Sequence, residues 1–151
     1  MLIRKIRPDE TYPFNLLLLA DPSIENVNEY IQRGESFVGE LDGIVIACYV
    51  LLPTRPHTVE LVNIAVNEDY QDRGFGRQMI EHAIAQSRIQ GYRVMELGTG
   101  NSSVGQLALY QKCGFRIVGV DLDFFVHHYP DPIFENGIQC RDMVRLIIYL
   151  E

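Results

Sequence analysis

The stretch "YQDRGFGRQM", residues 70–79, constrains the fold of this chain most. Gly74 and Gly76 flank a phenylalanine there. The apolar run "TVELVNIAV" (58–66) precedes them and reads as a buried strand. After them Met79, Ile80, Ala83, Ile84 and Ser87 recur at helical spacing until Gly91. Glycine is a poor helix former, so two at the mouth of a helix need a reason. One reason is a tight turn. The other is an anion site. The first N–H groups of a helix are unpaired and carry partial positive charge, and glycine lets backbone approach a phosphate closely. Arg73 and Arg77 would add charge at the rim. No third glycine follows at dinucleotide-fold spacing and no Gly-Lys-Ser/Thr is present, so neither a Rossmann site nor a P-loop fits.

The flanking sequence reads as alternating strands and helices. "LIRKI" (2–6) alternates as a strand. Residues 9–20 read as a helix with Asp9 as its cap, and 22–34 as a second helix stopped by Gly34. The runs "SFVGEL" and "IVIACYVLL" flank Asp42-Gly43, a type I′ hairpin pair. Pro53 and Pro56 break the next connection. "RVMELGT" (93–99) is a strand, "VGQLALYQKC" (104–113) a helix, and "FRIVGVDLDFFV" (115–126) a strand. "HHYPDP" is a loop. Asn136-Gly137 is a turn before a long final strand. The pattern is α/β (α+β), a mixed sheet with an antiparallel first half, in a single domain over 1–151.

Bulk properties exclude several classes. A formal net charge of −7 argues against nucleic-acid binding, which needs basic faces. No apolar run has the length of a membrane span, and "MLIRKIRPDE" lacks the apolar core of a leader. Cys48, Cys113 and Cys140 are few and scattered, which fits free thiols in a reducing cytoplasm. No metal-ligand spacing appears.

Gln71-Asp72-Arg73-Gly74-Phe75-Gly76 resembles the Q/R-x-x-G-x-G/A signature of the GNAT superfamily of acyl-CoA N-acyltransferases. "ELVNIAVNEDY" resembles the family's central strand and lead-in. "LALYQKCGF" (107–115) is similar to its second signature, a tyrosine-bearing helix followed by Lys-x-Gly-Phe. The element order resembles the family fold along essentially the whole chain. That resemblance implies a mostly antiparallel sheet of about seven strands, splayed at its centre and flanked by about four helices. It also implies acetyl-CoA as cosubstrate and no metal.

Roles follow from the resemblance. The loop amides of Gln71, Asp72, Arg73, Gly74, Phe75, Gly76 and Arg77 would hold the coenzyme pyrophosphate. Free backbone groups of Ile64, Ala65 and Val66 would pair with the pantetheine arm. One N–H there, of Ile64 or Val66, would polarise the thioester carbonyl, worth roughly 3 kcal/mol when well placed. Tyr110 would protonate the departing thiolate, which suits a phenol of pKa about 10; the alternative is a packing ring that hydrogen-bonds the coenzyme. The family's usual asparagine seven residues before this tyrosine is Ser103 here, and the usual alanine four before is Gln106. The coenzyme contact then falls to Asn101 or Ser103, with Gln106 beside them.

Only a free amine attacks a thioester, so a base is needed. Glu60 stands eleven residues before Gln71, where some family members carry a catalytic glutamate. In an apolar strand its pKa should rise, which suits a base near neutral pH. Strict alternation places Glu60 on one face with Val62, Ile64 and Val66, unless a bulge intervenes. The alternatives are a salt-bridged edge residue, the weaker candidates His127, His128 and Asp123, or a water chain. Cys113 reads as core rather than as an acyl carrier. For the acceptor the resemblance points to Asp21, Glu25, Glu29, Tyr30, Phe124, Phe125 and the 127–132 loop. Ile133, Phe134 and Ile147 are candidates for a homodimer interface. The expected reaction is acetyl transfer to a primary amine of a small molecule in a ternary complex. Acetylation of a protein or peptide, or non-catalytic acyl-CoA sensing, are the alternatives.

Overall fold

Turn chemistry sets the first half of the sheet. Asp42 and Gly43 both take positive φ, 52° and 79°, the I′ geometry that joins strands of right-handed twist. They link β2 (Glu35–Leu41) to β3 (Ile44–Arg55), and a turn at Pro56-His57 links β3 to β4 (Thr58–Val66). Pro53 does not break β3 as expected. It pairs with Val59 beside a bulge, a place where proline's missing N–H is tolerated. β1 (Leu2–Lys5) closes this edge against β2. The computed structural model describes every residue, Met1–Glu151.

Two helices lie between β1 and β2. α1 spans only Phe14–Ala20, not 9–20. Pro13 explains the late start: it disfavours helical backbone at Tyr12 and then opens the helix itself. α2 (Ile24–Arg33) is capped by Ser23, whose hydroxyl accepts from the Asn26 N–H. Both pack on one face of the sheet, where Leu16, Leu17, Val27, Tyr30 and Ile31 meet Val38, Cys48, Val50 and Ala65. α3 (Phe75–Ile89) and α4 (Val104–Lys112) cover the other face. There Met79, Ile80, Ala83 and Tyr110 meet Tyr49, Leu61, Met95 and Leu146.

The second half departs further from expectation. β5 (Val94–Gly100) is as read, but the strand expected over 115–126 stops early. β6 covers Arg116–Asp121, and Phe124–His128 form a short helix, α5. Asp123 causes the switch: it takes left-handed backbone, φ 58°, and its N–H donates to Asp142 Oδ1 at 2.9 Å. Phe124, Phe125, His127 and His128 thus belong to a helix, not to a strand and a loop. The long final strand expected after Asn136-Gly137 is likewise split in two, β8 (Ile138–Cys140) and β9 (Met143–Tyr149). β7 (Ile133–Glu135) forms a small separate hairpin with β8 around Asn136-Gly137. The main sheet runs β1-β2-β3-β4-β5-β9-β6, with β9 inserted between β5 and β6. Only β4 and β5 are parallel. No helix is long and apolar enough to cross a membrane.

Candidate active site

The parallel pair carries the site because it is barely paired. Only Thr58, Val59 and Glu60 face partners on β5, namely Val94, Met95 and Glu96. Beyond that rung the strands part. Leu61–Val66 remains bonded to β3, and Leu97–Gly100 to β9, but neither bonds the other. Alternate backbone groups of a strand point to opposite sides. The β5 side of Ile64, Ala65 and Val66 therefore offers donors and acceptors to anything inserted in the cleft.

A bulge then divides the faces. Val50 pairs with Asn63, but Leu51 pairs with Leu61, so β4 carries an extra residue at Val62. Val59, Leu61, Ile64 and Val66 pack on the α3/α4 face; Val62 and Ala65 pack on the α1/α2 face. Glu60 therefore does not share a face with Ile64 and Val66, as strict alternation had it. It looks toward the α1/α2 side at the apex of the cleft. Burial pushes the Glu60 carboxyl above its ordinary range, helped by Glu96 on the neighbouring rung and opposed by Arg145 and Arg33. Glu96 itself accepts from Thr54 Oγ1 at 2.8 Å and Arg55 Nη2 at 2.6 Å.

The glycine loop leaves β4 on the open side of the cleft. Asp72 and Gly74 both take positive φ, 61° and 83°, and Gly74 is the N-cap of α3. From Asp72 through Arg77 no backbone N–H has a hydrogen-bond partner; the first α3 bond to the loop is Gln78 N to Gly74 O, 3.1 Å. A run of free amides at a helix N-terminus is the environment a pyrophosphate seeks. The Gln71 amide donates to Val66 O at 3.0 Å and ties the loop to the strand end. Arg73 lies over the Tyr70 ring, 5.4 Å from its centre, and Arg77 pairs with Glu81 at 3.0 Å. Both arginines are exposed at the rim.

Tyr110 comes from the other wall. Its ring is buried, edge-on to Phe115 at 6.0 Å. Its hydroxyl makes no hydrogen bond within the protein, yet is not among the sealed, unpartnered polar atoms. Burial pushes its phenol up to about 12, so it stays protonated at any physiological pH. Burial likewise raises the neighbouring Cys113 thiol, which suits a packed group rather than a nucleophile.

The start of α4 differs from expectation in its commitments. Ser103 Oγ donates to Glu135 Oε1 at 2.9 Å, and Ser102 Oγ to the same atom at 3.1 Å. The Asn101 amide donates to Gln139 O and accepts from the N–H groups of Arg141 and Asp142. Both side chains pin the β7–β8 hairpin and the start of β9 to the end of β5. Gln106 is exposed in the first turn of α4.

On the α1/α2 face the structure gathers residues far apart in sequence. Asp21 accepts from the Tyr30 hydroxyl at 3.2 Å, the Tyr129 hydroxyl at 3.0 Å and the Ser23 N–H at 3.1 Å. Asn63, 3% exposed, donates to the Tyr30 hydroxyl oxygen at 2.8 Å and to the Leu17 carbonyl at 3.0 Å. Phe124 and Phe125 meet edge-on at 5.2 Å, and Phe125 lies 5.6 Å from Tyr129. Glu25 and Glu29 are solvent-exposed, Glu29 paired with Arg33 one turn on. Asn63 and Glu96 escaped the sequence reading, although each is a polar residue in a largely apolar strand, which is the available signal.

A run of free amides at a helix N-terminus, beside a splayed strand, is suited to a phosphate-bearing coenzyme. The family model described as Acetyltransferase (GNAT) family matches residues 3–115, and the chain belongs to this family. The chain is 56% identical over 142 residues to the uncharacterized N-acetyltransferase YvbK of Bacillus subtilis (strain 168), covering 94% of this chain and 90% of that one. A GNAT family acetyltransferase from Elizabethkingia anophelis with acetyl-CoA bound superposes with a TM-score of 0.96 at 43% identity, over 98% of this chain and 97% of that one. The Bacillus subtilis acetyltransferase in complex with CoA superposes with a TM-score of 0.94 at 53% identity, over 99% and 98%. The protein is thus a GNAT acetyltransferase.

Proposed function

We propose that the protein transfers acetyl from acetyl-CoA to a primary amine of a small molecule by direct attack in a ternary complex. The coenzyme fits the α3/α4 side, with pyrophosphate on the 72–77 amides and pantetheine along Ile64–Val66. The amine enters from the α1/α2 side. Glu60 takes the proton of the ammonium, and the freed nitrogen attacks the thioester carbonyl carbon. The carbonyl oxygen leans on an N–H of Ile64 or Val66. As the C–S bond breaks, Tyr110 gives its proton to the sulfur, and the proton that the new amide nitrogen sheds restores the phenol.

One observation supports a small acceptor above a peptide. The chain after β6 is tethered at two points. It starts from the β8–β9 connection, where Phe125 N–H donates to Arg141 O at 2.9 Å, and reaches Asp21 at the end of α1 through Tyr129. On this reading the tethered segment acts as a strap over the acceptor side, and a peptide needs an open groove. Thiol release from acetyl-CoA, measured with small primary amines and with short peptides bearing free N-termini, tests this. Turnover is expected with the amines; turnover restricted to the peptides would overturn the reading.

A further inference from the structure

Two carboxylates stand side by side where the cleft begins. Glu60 of β4 and Glu96 of β5 are partners on the last rung of the parallel pair, so both side chains leave the same face of the sheet, the α1/α2 face. Like charges directly opposite one another are unfavourable. Such a pair settles when its members have different surroundings, so that one keeps the charge and the other exchanges the proton. The surroundings here do differ. Glu96 Oε1 accepts from the Thr54 hydroxyl at 2.8 Å, and Oε2 from Arg55 Nη2 at 2.6 Å. The Glu60 carboxyl accepts from no group of the protein.

The donors on Glu96 come from two strands away, and a second bulge aims them. β3 carries an extra residue at Thr54, because Pro53 pairs with Val59 and Arg55 with Thr58. In a regular strand Thr54 and Arg55 would leave opposite faces. With the bulge, Thr54 keeps the face of Leu52 and Arg55 takes the face of Thr58. Leu52 pairs with Glu60, and Thr58 alternates with it, so both donors lie on the Glu60 side and reach across β4 to Glu96. The other charged groups facing Glu60 are Arg145 from β9 and Arg33 from α2. Each is tied to a carboxylate of its own: Arg145 Nε donates to Asp121 of β6 at 2.7 Å, and Arg33 donates to Glu29.

We infer that Glu96 is a second carboxylate of the transfer machinery: fixed by Thr54 and Arg55 on the rung opposite Glu60, it leaves Glu60 as the member of the pair that exchanges the proton. Glu96 touches no reacting atom and acts through Glu60, so it is a positioning residue. The inference rests on the reading of Glu60 as the base.

Titration of the carboxyls tests it without turnover. Glutamate carboxyl carbons are isotope-labelled and followed by NMR against pH, and the signal lost in Glu60→Gln identifies Glu60. Glu96→Gln removes the charge but keeps the shape and an acceptor for Thr54; its fold is checked by thermal unfolding. In that variant the Glu60 midpoint is expected to fall by about one pH unit, because a like charge has gone. The acidic limb of kcat/KM, measured by thiol release, should move down with it. A Glu60 midpoint unchanged in Glu96→Gln overturns the inference, and so does a fall that the kinetic limb does not follow. An acidic limb that survives Glu60→Gln would instead overturn Glu60 as the base, and the carboxyl titration tells the two failures apart.

Discussion

Replacing the two loop glycines singly by alanine should give opposite results. Gly74 holds φ 83° with nothing within 4 Å of an added Cβ, so the cost of alanine is conformational, not steric. Left-handed backbone costs an L-residue about 1–2 kcal/mol. If the loop keeps its shape, that cost appears in stability, about 2–4 °C of Tm per kcal/mol in a chain of this size. If the loop relaxes, CoA must restore it, and affinity falls roughly 5- to 30-fold. Either way the two losses together account for the same energy. Gly76 is different. It lies inside the first turn of α3 without positive φ, and an added Cβ meets Leu109 Cδ2 at 3.6 Å and Val66 Cγ2 at 3.9 Å, ordinary contacts. Alanine there removes glycine's helix penalty, worth up to about 1 kcal/mol, and points away from the anion. Gly76→Ala should therefore match or exceed wild-type stability and retain CoA affinity. Thermal unfolding and calorimetric CoA titration of both variants measure this. A Gly74→Ala variant unchanged in both assays, or a Gly76→Ala variant equally impaired, would refute the assignment of strain to Gly74.

Three further outcomes follow from the same geometry. Tyr110→Phe should lower kcat by about ten-fold or more while CoA affinity stays within a factor of about two, because only the hydroxyl is lost and the buried ring stays; unchanged turnover in steady-state assays would remove Tyr110 as the acid. The raised Glu60 carboxyl predicts that kcat/KM climbs with pH through a value above the ordinary glutamate range, and that Glu60→Gln abolishes that limb. The same raised value means that folding is favoured below the unfolded-state value of 4.5 and loses this contribution as pH rises through the folded one, so Glu60→Gln should also flatten stability against pH there. At the sheet edge, Arg4 bonds Glu10 and, with the Arg7 N–H, holds that carboxyl down to about 2. Its contribution is present above pH 4.5 and lost as pH falls through about 2, so acid titration of Glu10→Gln should converge with wild type at the low end.

The glycine loop and the tyrosine-bearing helix were readable because each is local. Gly74, Gly76 and the helix after them lie within one stretch, and the Tyr110 signature is equally short. The Asp42-Gly43 turn fixed the β2–β3 pairing for the same reason. The acceptor side depends on events without local signatures. A one-residue bulge at Val62 moves Glu60 off the face of Ile64, and nothing in "TVELVNIAV" marks where the extra residue falls. The clasp joins Asp21 to Tyr129 across 108 residues. Alternation in "FRIVGVDLDFFV" continues past Asp121 and suggests strand to Val126, but Asp142, 19 residues beyond Asp123, accepts from the Asp123 N–H and holds the turn that starts α5. Asn101 and Ser103 have the chemistry of coenzyme ligands, and only their contacts reveal how they brace the β7–β8 hairpin.

The central claim is that coenzyme and amine meet in the β4–β5 cleft from opposite faces of the sheet. A crystal structure with CoA and n-pentylamine bound tests it most directly. The account predicts the pyrophosphate on the 72–77 amides, the thiol facing the Tyr110 hydroxyl, and the amine near Glu60. A coenzyme lying away from Leu61–Val66, or an amine bound on the α3/α4 side, would contradict it.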